Sequence, residues 1–262
     1  MELGCVVRSA EEAEHAAGLP FDYGELKGDM LCVPPDDLAA LTARLHSVRL
    51  PFKAMTSPLP RRYGCRVVGP EADHTGALKV FRDMCDRGAA LGVCTVVLGS
   101  GQARHVPPGF PAQDADRQLR DFLLAASDVC AERDMTLALE HLNRTETNLV
   151  NSCTEARAVI DALEAPGVRI TADCFHLISE GLDIRTEVAV AGGSIAHAHT
   201  SAVPRGSGDF REEAQREFVS ALRAAGYDGG LTVEDEFRDF GREAGEAAIL
   251  FHRVIEEANV LL

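Results

Sequence analysis

Four residues able to bind a metal ion stand at the ends of short apolar runs. They are Glu140 after Thr-Leu-Ala-Leu, Asp173 after Ile-Thr-Ala, His199 after Ile-Ala-His-Ala, and Glu234 after Leu-Thr-Val. Three carboxylates and an imidazole brought to one place repel one another and are costly to desolvate without a cation. A divalent metal answers both problems. Oxygen-rich ligation with a single histidine favours a hard or borderline ion over a thiolate-type zinc site. One Mn²⁺ is the first expectation, with Mg²⁺ and Co²⁺ as alternatives.

Whether the four converge can be tested by strand parity, because successive side chains of a strand point to opposite faces. Counting back, the candidates share a face with Ala138 and Thr136, with Thr171, with His197 and Ile195, and with Thr232. The opposite face carries Leu139 and Leu137, Ala172 and Ile170, Ala198 and Ala196, and Val233 and Leu231. The small or polar face belongs inside, and the apolar face must meet helices. By the same count Asp235 has the wrong parity and Glu236 lies past the strand end.

The elements that would carry these residues alternate along the chain. Strands are expected at 3–7, 21–26, 51–55, 94–98, 136–140, 169–173, 195–199 and 231–234. The stretches between them have helical spacing, as in Leu38, Leu41, Leu45 and Val48, or Leu119, Phe122, Leu123 and Ala126. Ser152 with Glu155 fits a capping box, and Gly226 follows the apolar pattern of Phe218 and Leu222. Eight such units without a Pro/Gly-rich linker close most simply into a single (β/α)8 TIM barrel, one domain over residues 1–262. A doubly wound open sheet is the alternative. The long connections 56–73, 99–114, 141–151 and 200–210 all follow strands, which places them at the face where barrel active sites are built.

The stretch Glu140-His141-Leu142-Asn143-Arg144-Thr145-Glu146, the run Asp173-Cys174-Phe175-His176, and His197-Ala198-His199 leading to Arg205 together resemble the xylose-isomerase-like sugar isomerase/epimerase superfamily. Within it the chain looks most like the D-tagatose and D-psicose 3-epimerases. The resemblance implies that Glu140, Asp173, His199 and Glu234 are the metal ligands, and that Glu146, His176 and Arg205 contact substrate hydroxyl and carbonyl oxygens. It further implies a proton moved next to the carbonyl of a small sugar or sugar acid through an enediolate. Glu140 and Glu234 would then be the catalytic pair on opposite sides of the carbon. Return of the proton to the other face gives epimerisation, and return to the adjacent carbon gives aldose–ketose isomerisation.

Two other activities use the same positions. A keto-sugar or keto-inositol lyase or dehydratase would share the enediolate chemistry and then expel a leaving group. An endonuclease IV-like abasic-site nuclease would need three metals and an Asp-x-His pair after the seventh strand, where this chain has Arg205-Gly206-Ser207-Gly208-Asp209-Phe210. A net charge of −15, with Lys and Arg scattered, also argues against nucleic acid or an anionic membrane as partner. The expected partner is a small-molecule carbohydrate, and a homo-oligomer is compatible with the chain.

The remaining residues have plainer readings. His197, one interior step below His199, suits a hydrogen-bond donor to the site or a satisfied core histidine. His74, His105 and His141 read as surface or loop residues, Arg104 as balancing an acidic surface, and Arg8 as lining the pocket. The polar loop Gly99-Ser100-Gly101-Gln102-Ala103-Arg104 reads as a tight turn that could meet a carboxylate or an oxidised sugar. Eight cysteines without a C-x-x-C pair suggest a reducing cytoplasm, and no apolar run approaches the ~20 residues that span a bilayer.

Overall fold

Runs that alternate branched apolar with small or polar side chains suit strands covered by helices on one face and facing one another on the other. The computed structural model, which describes residues 1–163 and 167–260, arranges them in that way. The strands are β1 (Glu2–Val7), β2 (Tyr23–Lys27), β3 (Phe52–Thr56), β4 (Thr95–Leu98), β5 (Thr136–Glu140), β6 (Val168–Asp173), β7 (Ile195–Thr200) and β8 (Gly230–Val233). All neighbouring pairs are parallel, and β8 pairs with β1 to close the barrel. An open sheet is thereby excluded.

The outer layer comprises α1 (Ala10–Ala16), α2 (Pro35–Ser47), α3 (His74–Ala89), α4 (Ala112–Ala131), α5 (Cys153–Leu163), α6 (Cys174–Glu180), α7 (Ile184–Ala191), α8 (Glu212–Ala224) and α9 (Phe240–Val260). Leu119, Phe122, Leu123 and Ala126 of α4 are fully buried, whereas α2 fully buries only Leu45. Ser152 Oγ accepts the Glu155 N–H at the start of α5, and Gly226 takes φ +76 just past α8. Both helix boundaries therefore carry the local chemistry their residues suggest. Two helices rather than one follow β6, because Gly181 at φ +65 ends α6 and Asp183 caps α7. No described helix is long and apolar enough to cross a membrane.

Two register shifts modify the parity count. Between β6 and β7, Ile170 faces Ile195 but Thr171 faces His197, so Ala196 is an extra residue on β7. Ile195 therefore joins the hydrophobic cluster that holds Ile170, Ala198 and Leu231, and not the interior set in which simple counting placed it. His197 and His199 keep their interior positions. Between β2 and β3, Gly24 faces Phe52 and Glu25 faces Ala54, which skips Lys53. β2 also starts later and ends later than expected, at Tyr23 and Lys27, because its ladder begins opposite Gly4 and continues to Thr56.

Glycines make room for Tyr23. A Cβ on Gly4 would lie 2.3 Å from Tyr23 Cζ, and one on Gly230 would lie 2.4 Å from its hydroxyl. The ring can lie there only because both side chains are absent. Gly4→Ala is therefore expected to overpack the barrel and cost about 1–3 kcal/mol, read as a lower urea midpoint at unchanged slope. An unchanged midpoint would show that Tyr23 moves aside freely.

Candidate metal centre

Glu140 ends β5, Asp173 ends β6, His199 is the fifth residue of β7, and Glu234 follows β8 with its N–H still bonded to Thr200 O at 2.8 Å. The barrel brings one donor atom from each within 4.8 Å of the others, and all four residues are buried. His199 Nδ1 lies 2.9 Å from Glu140 Oε1 and 3.5 Å from Glu234 Oε2. Gly99 leaves space for Glu140, whose Oε2 would be 2.2 Å from a Cβ at that position.

Asp173 divides its two oxygens. Oδ1 accepts the N–H groups of Phe175 (2.7 Å) and His176 (3.3 Å), capping α6, while Oδ2 is buried without a hydrogen-bond partner. Burial and the neighbouring Glu140 carboxylate push the Asp173 acid up to about 7, against the pull of Arg205 and His199. For His199, burial works against charge, but Glu25 and Glu140 override it and hold the ring well above its usual range. Burial likewise opposes ionisation of Glu234, and Lys27, Arg205 and His199 reverse the outcome, holding it well below the carboxylate range. An orphaned carboxylate oxygen, a ring nitrogen facing two carboxylates and an oxygen-rich donor set suit a divalent cation, since the charges that favour a proton on His199 Nδ1 also favour a metal ion there.

The three residues read as substrate contacts surround the same place. Arg205 reaches Glu234 Oε2 at 3.3 Å and lies 3.8 Å from both Asp173 Oδ2 and Glu146 Oε1. Its guanidinium sits 4.4 Å from the centre of the Phe175 ring, which fixes the plane of the charge. His176 Nδ1 accepts the Asn143 backbone N–H at 3.0 Å, so its hydrogen is on Nε2, which has no partner and lies 3.6 Å from Asp173 Oδ2. Burial, with Arg205 and His141 beside it, keeps that ring neutral. Lys27, Glu140, Glu146, His176, Arg205 and Glu234 border a small cavity of about 50 Å³. It shares Lys27, Glu146 and Arg205 with an outer cavity of about 300 Å³ that Arg61 and Arg66 also line. A roomier cavity of about 410 Å³ lies against α9, and Glu140, Asp173, His199 and Glu234 are not among its lining residues.

Several plainer readings are corrected. Arg104 is 1% exposed and not a surface charge. It donates to Gly99 O (2.9 Å), Leu149 O (3.0 Å) and Glu140 O (2.6 Å), pinning the polar loop to the end of β5. Burial pulls its pKa down to about 10, which leaves it charged at neutral pH. His141 occupies a loop position as expected but is wholly buried, and its Nε2 accepts the Asp173 N–H at 3.1 Å. His105 is exposed. Arg8 lines neither cavity, and its backbone N–H bonds to Glu12 at the start of α1. Asp235 accepts from Ser201, Gly206 and Glu236, holding the loop that carries Arg205.

Two residues without a sequence-based assignment belong to the site. Lys27 Nζ bonds Glu234 Oε1 at 2.7 Å, and Glu25 is a fully buried carboxylate beside His197 and His199. The parity rule applied to β2 would have found them, because Tyr23, Glu25 and Lys27 alternate with Gly24 and Leu26.

Arg104→Met would leave three carbonyls without their donor, and a loss of about 3 kcal/mol in unfolding free energy is expected. Chemical denaturation measures it, and a change below a few tenths would show that water replaces the guanidinium.

The family model for the xylose isomerase-like TIM barrel matches residues 14–253. A D-psicose 3-epimerase from Enterocloster bolteae is 28% identical over 166 residues, 60% of this chain and 53% of that protein. A ketose 3-epimerase from Arthrobacter globiformis is 30% identical over 143 residues, 53% of this chain and 47% of that protein. The matches span about two-fifths to three-fifths of the length of the curated relatives. Among solved structures, an L-ribulose 3-epimerase superposes with TM-score 0.80 at 20% identity, covering 98% of this chain and 95% of that one. A 3-keto-D-glucoside 4-epimerase from E. coli gives TM-score 0.78 at 20% identity, covering 97% and 99%. At such identity the superpositions establish the fold, and the family match over nearly the whole barrel makes this chain a member of the xylose isomerase-like TIM barrel family.

Proposed function

We propose that this protein is a metal-dependent isomerase or epimerase that moves a proton beside the carbonyl of a small sugar or sugar acid, in the manner of the ketose 3-epimerases it is similar to. The observation that carries the reading is the pair Glu140 and Glu234, brought from β5 and the end of β8 to one buried histidine at the mouth of the barrel. Glu140, Asp173, His199 and Glu234 are the residues that would hold the ion, Mn²⁺ in the first instance. Bound there, a divalent cation supplies Lewis acidity toward a carbonyl and a neighbouring hydroxyl oxygen.

The chain's own groups would do the rest. One of Glu140 and Glu234 takes the proton from the carbon beside the carbonyl, and the other returns it to the opposite face. His176 offers its unpartnered Nε2–H, and Arg205 its guanidinium, to oxygens on which negative charge develops. Glu146, half-buried and held near Arg205, accepts a hydroxyl hydrogen. The names of the relatives support a ketose-like substrate, and the charged outer cavity leaves room for an oxidised sugar. Eight unpaired cysteines suit a reducing compartment, and on that ground we place the protein in the cytoplasm.

NMR of the Mn²⁺-loaded protein in D₂O with a panel of ketoses and keto-sugar acids tests the reaction. Deuterium should enter next to the carbonyl of a panel member, and Glu140→Gln or Glu234→Gln should slow this by roughly 10²–10⁴-fold. No exchange with any member, together with a silent Glu234→Gln, would defeat the reading.

Metal binding should also depend on pH in a defined direction. A cation binds the deprotonated forms of Asp173, whose acid lies near 7, and of His199, so protons compete with it more strongly as pH falls. Mn²⁺ affinity is expected to weaken by about tenfold per pH unit for each proton displaced on the acid side of 7, with the proton release on binding read by calorimetry in buffers of different ionisation enthalpy. A pH-independent affinity between 6 and 8 would contradict this.

A further inference from the structure

Glu25 lies on β2, on the barrel interior, with 0% exposure and no Lys or Arg as a salt-bridge partner among the described residues. Its two oxygens go to two histidines of β7: Oε2 lies 2.7 Å from His197 Nε2 and Oε1 lies 2.9 Å from His199 Nε2. A carboxylate has only lone pairs to offer, so both ring nitrogens must carry hydrogens. With its Nε2 so committed, His199 turns Nδ1 toward Glu140 and Glu234. Thr232 Oγ1, 2.6 Å from the Tyr23 hydroxyl, lies 3.1 Å from the same His197 Nε2 and shares its hydrogen with the nearer Glu25.

We propose that Glu25 is a positioning residue for the metal centre: it fixes the tautomer and orientation of His199, using His197 as a brace. The inference rests on the metal-binding reading of Glu140, Asp173, His199 and Glu234. Glu25, His197 and His199 also form a second cluster of close donor atoms. Contacts of 2.7 and 2.9 Å are filled by the histidine hydrogens, however, so this cluster is a strut and not a second ion site. Nor does packing account for the carboxylate. A buried charge is an expensive way to fill space, and apolar residues in place of Glu25, His197 and His199 together would serve the core as well or better. What the carboxylate adds is direction, as partners behind a ligating histidine do.

The test uses the full chain and Mn²⁺ alone, with calorimetry and the unfolding temperature of the metal-free protein as readouts. Glu25→Gln keeps an oxygen for His199 and presents an amide to His197, whereas Glu25→Met keeps the volume and removes both bonds. Wild type is expected to bind one Mn²⁺, Glu25→Gln to weaken it by about tenfold and Glu25→Met by about a hundredfold, with metal-free Glu25→Met, whose two histidine N–H groups lose their acceptor, unfolding at a lower temperature than wild type but folded at the assay temperature. Partial rescue by Gln over Met supports orientation, because a space-filling role would favour neither. Equal affinity in all three proteins overturns the inference and leaves the metal reading standing. Loss of folding in both variants, or two ions in wild type with one lost in Glu25→Met, also overturns it. No Mn²⁺ bound by wild type overturns the metal reading, and this inference with it.

Discussion

Glu25, Glu140, Asp173 and Glu234 are all at most 4% exposed, and they occupy one end of one barrel interior. Carboxylates so placed must be met by positive charge or by hydrogens, because burial takes them out of bulk water. The interior is arranged around that demand. His199 stands between Glu25 on one side and Glu140 and Glu234 on the other, Lys27 and Arg205 reach different oxygens of Glu234, and Asp173 Oδ2 is left without a hydrogen-bond partner. That residual imbalance is what would suit the place to a cation better than to a closed ion-pair network.

Around it the barrel is layered by chemistry. The outward faces of the strands join the helices in one hydrophobic cluster, which contributes the bulk of the driving force for folding. The inward faces carry a polar column instead: Tyr23 over Gly4 and Gly230, then Thr232 and His197, then Glu25, then His199 and the carboxylates. Each member answers the hydrogen-bonding capacity of the next, so the column orients the site while adding little apolar burial. Strands can support both functions because their side chains alternate.

The loops at the same end are tied to the strand termini by side chains that look peripheral in sequence. Arg104 binds the Glu140 carbonyl, His141 accepts the Asp173 N–H, and Asn143 fixes the His176 ring. Asp173 itself caps α6, so the helix that carries His176 begins from a residue of the site. The groups proposed to face substrate and those proposed to face a cation are thus positioned by shared bonds and not by separate scaffolds.

Local pattern determined a great deal here. Alternation along 136–140 and 169–173, capping at Ser152 and strand-end placement of Glu140, Asp173, His199 and Glu234 are all encoded within a few residues, and the barrel and its interior face follow from them. Only the tertiary structure decided the rest. Ile195 left the interior because a register shift inserts Ala196, which depends on how two strands pair and not on either alone. Arg104 and His141 proved buried because their partners are backbone groups of other segments, and backbone groups leave no mark in residue type. Glu25 meets His197 and His199 across 172 and 174 residues of chain, a distance that only barrel closure removes. The convergence of those four residues was therefore legible in the sequence, and the hydrogen-bonded column behind His199 was fixed by the closed sheet.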